Sequence, residues 1–186
     1  MQSRSSAVAI AAIAMACSLA GCAPVTAPGD ASVSRVQLYS SLQELTEDSD
    51  IVVVGSVTSQ EVVQDIDAGT DFTISTVLVT DVVHSVDSLA SGSTAEVRQI
   101  GSGSQPAPTP LLSTDGTYLL YLTASGLDAP LDAQFYITGA NAGVYRSSTD
   151  SARAIDSQEA FEQVDPHPGE ALPVETNLEE ARASSD

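Results

Sequence analysis

Three aspartates at alternate positions, Asp65-x-Asp67-x-Gly69-x-Asp71, have the spacing that best fits a chemical task. Alternating carboxylates on a turn can wrap a hard cation, and glycine permits the bend. A full EF-hand loop requires Gly at its sixth position and a bidentate Glu at its twelfth, where this chain has Thr70 and Thr76. The pattern therefore reads in two ways: a weak calcium site, or a solvated turn in which Asp and Gly only shape the chain. Other chemistry finds less support. His84 closes a strand-like run, and His167 sits in an acidic, proline-bearing segment. No G-x-S-x-G elbow exists, so serine nucleophile chemistry has no foothold. Gly101-Ser102-Gly103-Ser104 runs into prolines instead of a helix, which makes it a loop and not a phosphate cradle. The 25 acids leave room for a paired-carboxylate enzyme, yet no pair stands out. Tyr118, Tyr121, Tyr136 and Tyr145 fall in the last strand-like runs. Facing outward they make a binding surface; facing inward they are core. Tyr118 and Tyr121 have opposite parity, so a regular strand cannot aim both at one core.

The elements that must position these residues are mostly strands. Ser41-Leu42-Gln43-Glu44 matches a capping box, and Leu38, Leu42 and Leu45 make one apolar stripe, which predicts a short helix over 40–48. Asp50-Ile51-Val52-Val53-Val54-Gly55-Ser56-Val57 is too dense in β-branched residues to be anything but a buried strand, continuing toward Val63. Ile51, Val53 and Val57 share one parity, and Gly55 predicts a bulge or sharp bend. Residues 71–84 carry apolar side chains on both parities, which predicts a strand covered on both faces. Further strands are predicted over 94–100, 117–122 and 134–138, with G-A-N-A-G at 139–143 as a hairpin loop into V-Y-R. The expected class is all-β: a small five- to six-stranded, partly open, OB-like barrel, or a sandwich, with one short N-terminal helix.

Charge narrows the function. The chain has 25 acids against six basic residues, a net charge of −19, and all six are arginine. Such a surface repels nucleic acid and anionic headgroups, so neither is expected as a direct ligand. Lysine-dependent Schiff-base and phosphate-loop chemistry is excluded. The last segment, 165–186, holds three prolines, six acids and one arginine and reads as a mostly disordered tail, with Thr176-Asn177-Leu178-Glu179 able to cap a short helix.

The N-terminus supplies an address. Arg4 precedes an apolar run from Ala7 to Ala20, short of the roughly 20 residues a spanning helix needs. Leu19-Ala20-Gly21-Cys22 follows. This tetrapeptide resembles the lipobox of bacterial lipoproteins. The resemblance implies a diacylglyceryl group on Cys22, cleavage between Gly21 and Cys22, and two acyl chains holding the protein at the extracytoplasmic face of the cell membrane. Cys17 would leave with the signal, so Cys22 would have no disulfide partner. The expected organisation is a signal peptide over 1–21, a Pro/Gly-bearing tether over 22–37, a β-domain over 38–164 and the acidic tail. The helix, the S-D-I-V-V-V-G-S-V strand, V-T-D-V-V and D-G-T-Y-L-L-Y-L also resemble small surface lipoproteins of actinobacteria, a resemblance that implies no particular activity. The expected function is a non-catalytic β-domain that binds a protein or cell-wall partner in the envelope, with no cofactor. A carboxylate-based envelope enzyme and a calcium-dependent interaction module are the alternatives.

Overall fold

The computed structural model describes residues 37–86, 88–114, 116–149 and 158–185. In it the β-branched run after Asp50 forms β1 (Ile51–Val63), which pairs antiparallel with β2 (Phe72–Ser85) over its whole length. β3 (Thr94–Ile100) continues the sheet antiparallel to β2. β4 (Thr117–Ala124) pairs with the first half of β1, Ile51 opposite Leu122 through Ser56 opposite Thr117. β5 (Gln134–Ile137) joins β4 to β3, running antiparallel to the first and parallel to the second. The ring β1-β2-β3-β5-β4 closes on itself through β1–β4. The domain is therefore an all-β, five-stranded closed barrel.

Three more strands lie outside the ring among the described residues: β6 (Val144–Ser147), β7 (Ala160–Gln163) and β8 (Glu175–Asn177). β5 and β6 do not form the expected hairpin. Both pair with β4, β5 along Leu122–Ala124 and β6 along Tyr118–Leu120. Residues 139–142 bulge out of what is otherwise one interrupted strand. Thr138 N–H donates to the Tyr121 carbonyl at 3.0 Å, and Tyr121 N–H to that of Gly143 at 2.9 Å.

Two cores share β1 and β4. Ile51, Val53 and Val57 point into the barrel with Val77, Val97, Tyr118, Leu120 and Leu122. Val52, Val54, Leu119 and Tyr121 point out of it, onto a second apolar cluster. That outer cluster is covered by α1 (Leu42–Glu47), by Tyr145 and Phe161, and by α2 (Leu178–Ala183). α1 is capped by Ser41, whose hydroxyl accepts from Glu44 N–H at 3.2 Å. The Glu44 carboxylate reaches back to Ser40 N–H at 2.8 Å, one residue earlier than a capping box requires. Leu42 and Leu45 face the core, but Leu38 is exposed and Tyr39 takes its place.

Gly55 is required by close approach. A Cβ there would sit 2.5 Å from Val77 Cγ1 and 2.7 Å from the Leu78 carbonyl oxygen. The β1–β2 register shifts beside it, between Val54 and Gly55, which gives the bend that lets the strand turn around the barrel.

The acidic segment from residue 165 is not a disordered tail. β8 pairs with β7, and α2 starts at the N-cap Asn177, whose side chain accepts from Glu180 N–H at 2.9 Å. Leu172, Leu178 and Ala181 are buried against the outer face of the barrel. Arg182 ties α2 to Asp81 on β2 at 2.7 Å, and Thr46 on α1 meets Ser184 at 3.2 Å. Few apolar residues are needed because the uncovered surface on β1 and β4 supplies the other half of each contact. The β-domain therefore runs past 164, and the expected boundary there falls inside a shared core.

Val53→Ala should cost on the order of 1–3 kcal/mol, from transfer and cavity terms together. Leu178→Ala, outside the barrel, should cost about 2–5 kcal/mol by the same terms. A chain ending at Val164 should lose its sharp urea transition, and a normal transition in that truncated chain would show that the outer core is dispensable.

Candidate functional site: the seam between β3 and β5

The parallel contact between β3 and β5 is only two residue pairs long, Glu96 with Gln134 and Val97 with Phe135. Beyond it the two strands part. A half-open cleft of about 170 Å³ occupies the gap. Arg98, Gln99 and Ile100 line one side, and Tyr136, Ile137 and Ala140 the other. Pro108 and Thr109, from the loop after β3, lie across it. Gly101 lets that loop turn back: its φ is +102°, and a Cβ would come within 2.5 Å of the Ala107 Cα.

Arg98 forms the floor. Its side chain is fully buried, although it points from the outer face of the barrel. Burying a charge requires a partner, and Asp65 is that partner. The two carboxylate oxygens accept from Nη1 and Nη2, each at 2.7 Å. Nε donates to Gln134 Oε1 at 2.7 Å, and the guanidinium lies 5.1 Å over the Phe72 ring. Gln134 in turn donates to Glu96 at 3.0 Å. The Arg98 hydrogen bonds hold the Asp65 carboxyl below the usual carboxylate range, and Asp65 reciprocally raises the guanidinium.

The three aspartates of the turn do not act together. Asp65 is committed to Arg98. Asp71 is buried and accepts from Ser102 at 2.6 Å and Gln64 at 2.6 Å, bonds that lower its pKa, with Ser104 adding a third. Asp67 accepts from Thr70 within the turn at 3.2 Å. Among the described residues, no three His, Cys, Asp or Glu side chains converge on a point that could hold a metal ion. Two acids of the expected calcium loop are instead its fastenings, one to β3 and one to the loop after β3.

The tyrosines also divide. Tyr118, Tyr121 and Tyr145 are buried, so they make no outward binding surface. Parity is respected because there are two cores: Tyr118 enters the barrel, while Tyr121 and Tyr145 meet outside it, ring centroids 6.1 Å apart. Burial raises the pKa of both outer tyrosines. Tyr145 donates to the Pro173 carbonyl at 3.1 Å, whereas the buried Tyr121 hydroxyl has no hydrogen bond of good geometry, with Ser184 its polar neighbour. Tyr136 alone of the four expected residues reaches the cleft. His84 and the rest of its strand end are half-exposed. Gly21 and Cys22 lie outside the described residues.

Sequence reading missed Arg98, Gln134, Ile137 and the cleft. An arginine in a strand flanked by Val97 and Ile100 was the available signal. No protein-family model matches this chain, and no curated protein is similar enough to count as a relative.

Asp65→Asn should lower the thermal midpoint clearly, while Asp67→Asn should leave it within error, because only the first strands a buried cation; calorimetry of both variants decides. The pH profile should also be bounded on both sides. Asp65 and Asp71 have depressed folded-state pKa values, so their contribution is complete above the ordinary value of about 4 and lost as pH falls through the folded values. Tyr39 is pushed up to about 12 by burial first and then by Asp48. Its contribution is complete below pH ~10 and lost as pH rises toward the folded value. Tyr39→Phe should reduce, not abolish, the alkaline fall measured by urea unfolding against pH, because Tyr121 and Tyr145 are raised as well.

Proposed function

We propose that this chain is a lipid-anchored lipoprotein of the extracytoplasmic face of a bacterial cell membrane, and that its β-domain is a non-catalytic module that binds a partner in the envelope. The observation that carries the address is Leu19-Ala20-Gly21-Cys22 after an apolar run of signal-peptide length. Two acyl chains on Cys22 would hold the protein stably, since each buried methylene contributes about 0.8 kcal/mol and one chain binds only marginally. The tether over 22–37 would keep a domain of net negative charge off acidic headgroups.

The binding role is supported by how the domain uses its polar groups. Arg98, Asp65 and Gln134 hold the floor of the cleft, and Asp71, Ser102 and Gln105 hold the loops beside it. The accessible part of the cleft is apolar wall, contributed by Ile100, Pro108, Ile137 and Ala140. At about 170 Å³ it is smaller than the ~300 Å³ lower end of sites for drug-sized ligands. It is close to the ~150 Å³ cavity that accepts benzene. One apolar side chain of a macromolecule fits those dimensions, and such a side chain is the usual anchor of a protein contact.

Cys22→Ala should shift the protein from the membrane fraction to the medium, or leave it as uncut precursor, while the soluble domain keeps its unfolding midpoint. Mature-sized protein that still needs detergent for release from membranes would contradict the anchor.

A further inference from the structure

The seam between β3 and β5 offers more than an apolar hollow. Gly101 N–H donates to the Asp71 carbonyl at 2.8 Å, and Val79 N–H to Ser93 at 2.9 Å. Bonded pairs alternate along an antiparallel ladder, so Val97 and Gln99 direct their backbone groups to β2, and Arg98 and Ile100 direct theirs toward β5. On the other side, Thr138 N–H donates to Tyr121 and Ser125 N–H to Gln134. The same alternation aims the backbone groups of Ile137 away from β4, toward β3. The β3–β5 ladder nevertheless stops at Val97 and Phe135. The Arg98 carbonyl, the Ile100 amide and the Ile137 amide therefore face one another across the gap, outside the ladder. Strand edges of this kind are templates for a further extended segment.

Charge selects the class of partner. The chain carries −19 with no lysine, and Arg98 and Arg182 are ion-paired within the fold. Glu96, exposed, sits at the closed end of the seam, where it pairs with Gln134. A basic segment is attracted to this surface and an acidic one repelled.

We infer that the seam is a docking slot for an extended segment of a basic protein. The segment's main chain bonds the strand edges at Ile100 and Ile137, beyond the end of the ladder, and one aromatic or aliphatic side chain enters the cleft between Pro108, Ile137 and Ala140. This rests on the reading of the domain as a binding module and names the surface and the partner chemistry.

The test titrates the full lipidated chain, held in detergent, into two fluorescein-labelled peptides followed by anisotropy. One is Lys-Val-Phe-Val-Lys and the other Glu-Val-Phe-Val-Glu, both blocked at their ends. The basic peptide should bind saturably, at least about tenfold tighter than the acidic one, and weaken as salt rises. Thr109→Trp, which fills the cleft from the loop, should weaken it about tenfold or more. Ile100→Lys, at an exposed position, should weaken it without disturbing the fold. No saturable binding up to about 1 mM, equal binding of the two peptides, or binding unchanged in both variants would overturn the slot. If the slot fails while the anchored protein still cross-links to an envelope protein in cells, the module reading survives and its surface lies elsewhere. If both fail, both readings fall.

Discussion

The fold depends on one constraint: β1 and β4 are apolar on both faces. Val52 and Val54 alternate with Ile51 and Val53, and Leu119 and Tyr121 with Leu120 and Leu122, and all eight are buried. A barrel satisfies only the inner set. The outer set must be covered by something else in the chain, or it becomes an exposed apolar patch across two strands. α1 arrives from one end of the sequence, and Tyr145 of β6, Phe161 of β7, Leu172 and α2 from the other, to cover it. The acids of the C-terminal segment follow from this geometry. Asp165, Glu175, Glu179 and Glu180 occupy exposed positions while Leu172, Leu178 and Ala181 face the sheet.

The opposite wall of the barrel solves the same problem differently. There the outer face of β2 and β3 carries Phe72, Ile74 and Arg98, all buried. The β1–β2 loop folds over them and brings Asp65 to the guanidinium. A bidentate pair fixes both separation and orientation, so this contact sets where the loop lies and thereby the floor of the cleft. With the β1–β4 wall under helices and the β2–β3 wall under its loop, the seam where β3 and β5 part is left partly open. Two of its walls are strands, β3 and β5, and the third is the loop carrying Pro108 and Thr109; sites built on strands hold their geometry better than sites on loops alone.

How far the sequence disclosed this follows from where each signal resides. β1 to β4 were readable because β-branched and aromatic density is local. The burial of Val53 with Ile51 and Val57 follows from parity alone. Leu178 and Ala181 were not readable as core, because two apolar residues among acids have the composition of disorder until a partner surface is supplied. Tyr121 was misjudged for a related reason: parity excludes two tyrosines from one core but says nothing about a second. The Asp65–Arg98 pair spans 33 residues and leaves no trace in spacing. The seam is harder still, being a place where an expected pairing stops, and no residue type marks that.

The central claim is that the segment beyond residue 160 belongs to the same cooperative unit as the barrel, which is what leaves the β3–β5 seam as the open face. Native-state hydrogen exchange measures it directly. Within one cooperative unit, the Gln163 amide of β7 and the Ser184 amide that closes the end of α2 should approach the opening free energy of Val53 on β1 as denaturant rises, and all should merge into one global transition. If Gln163 and the α2 amides exchange with almost no protection while Val53 stays protected, the acidic segment is an appendage, and the two-core account of this fold is wrong.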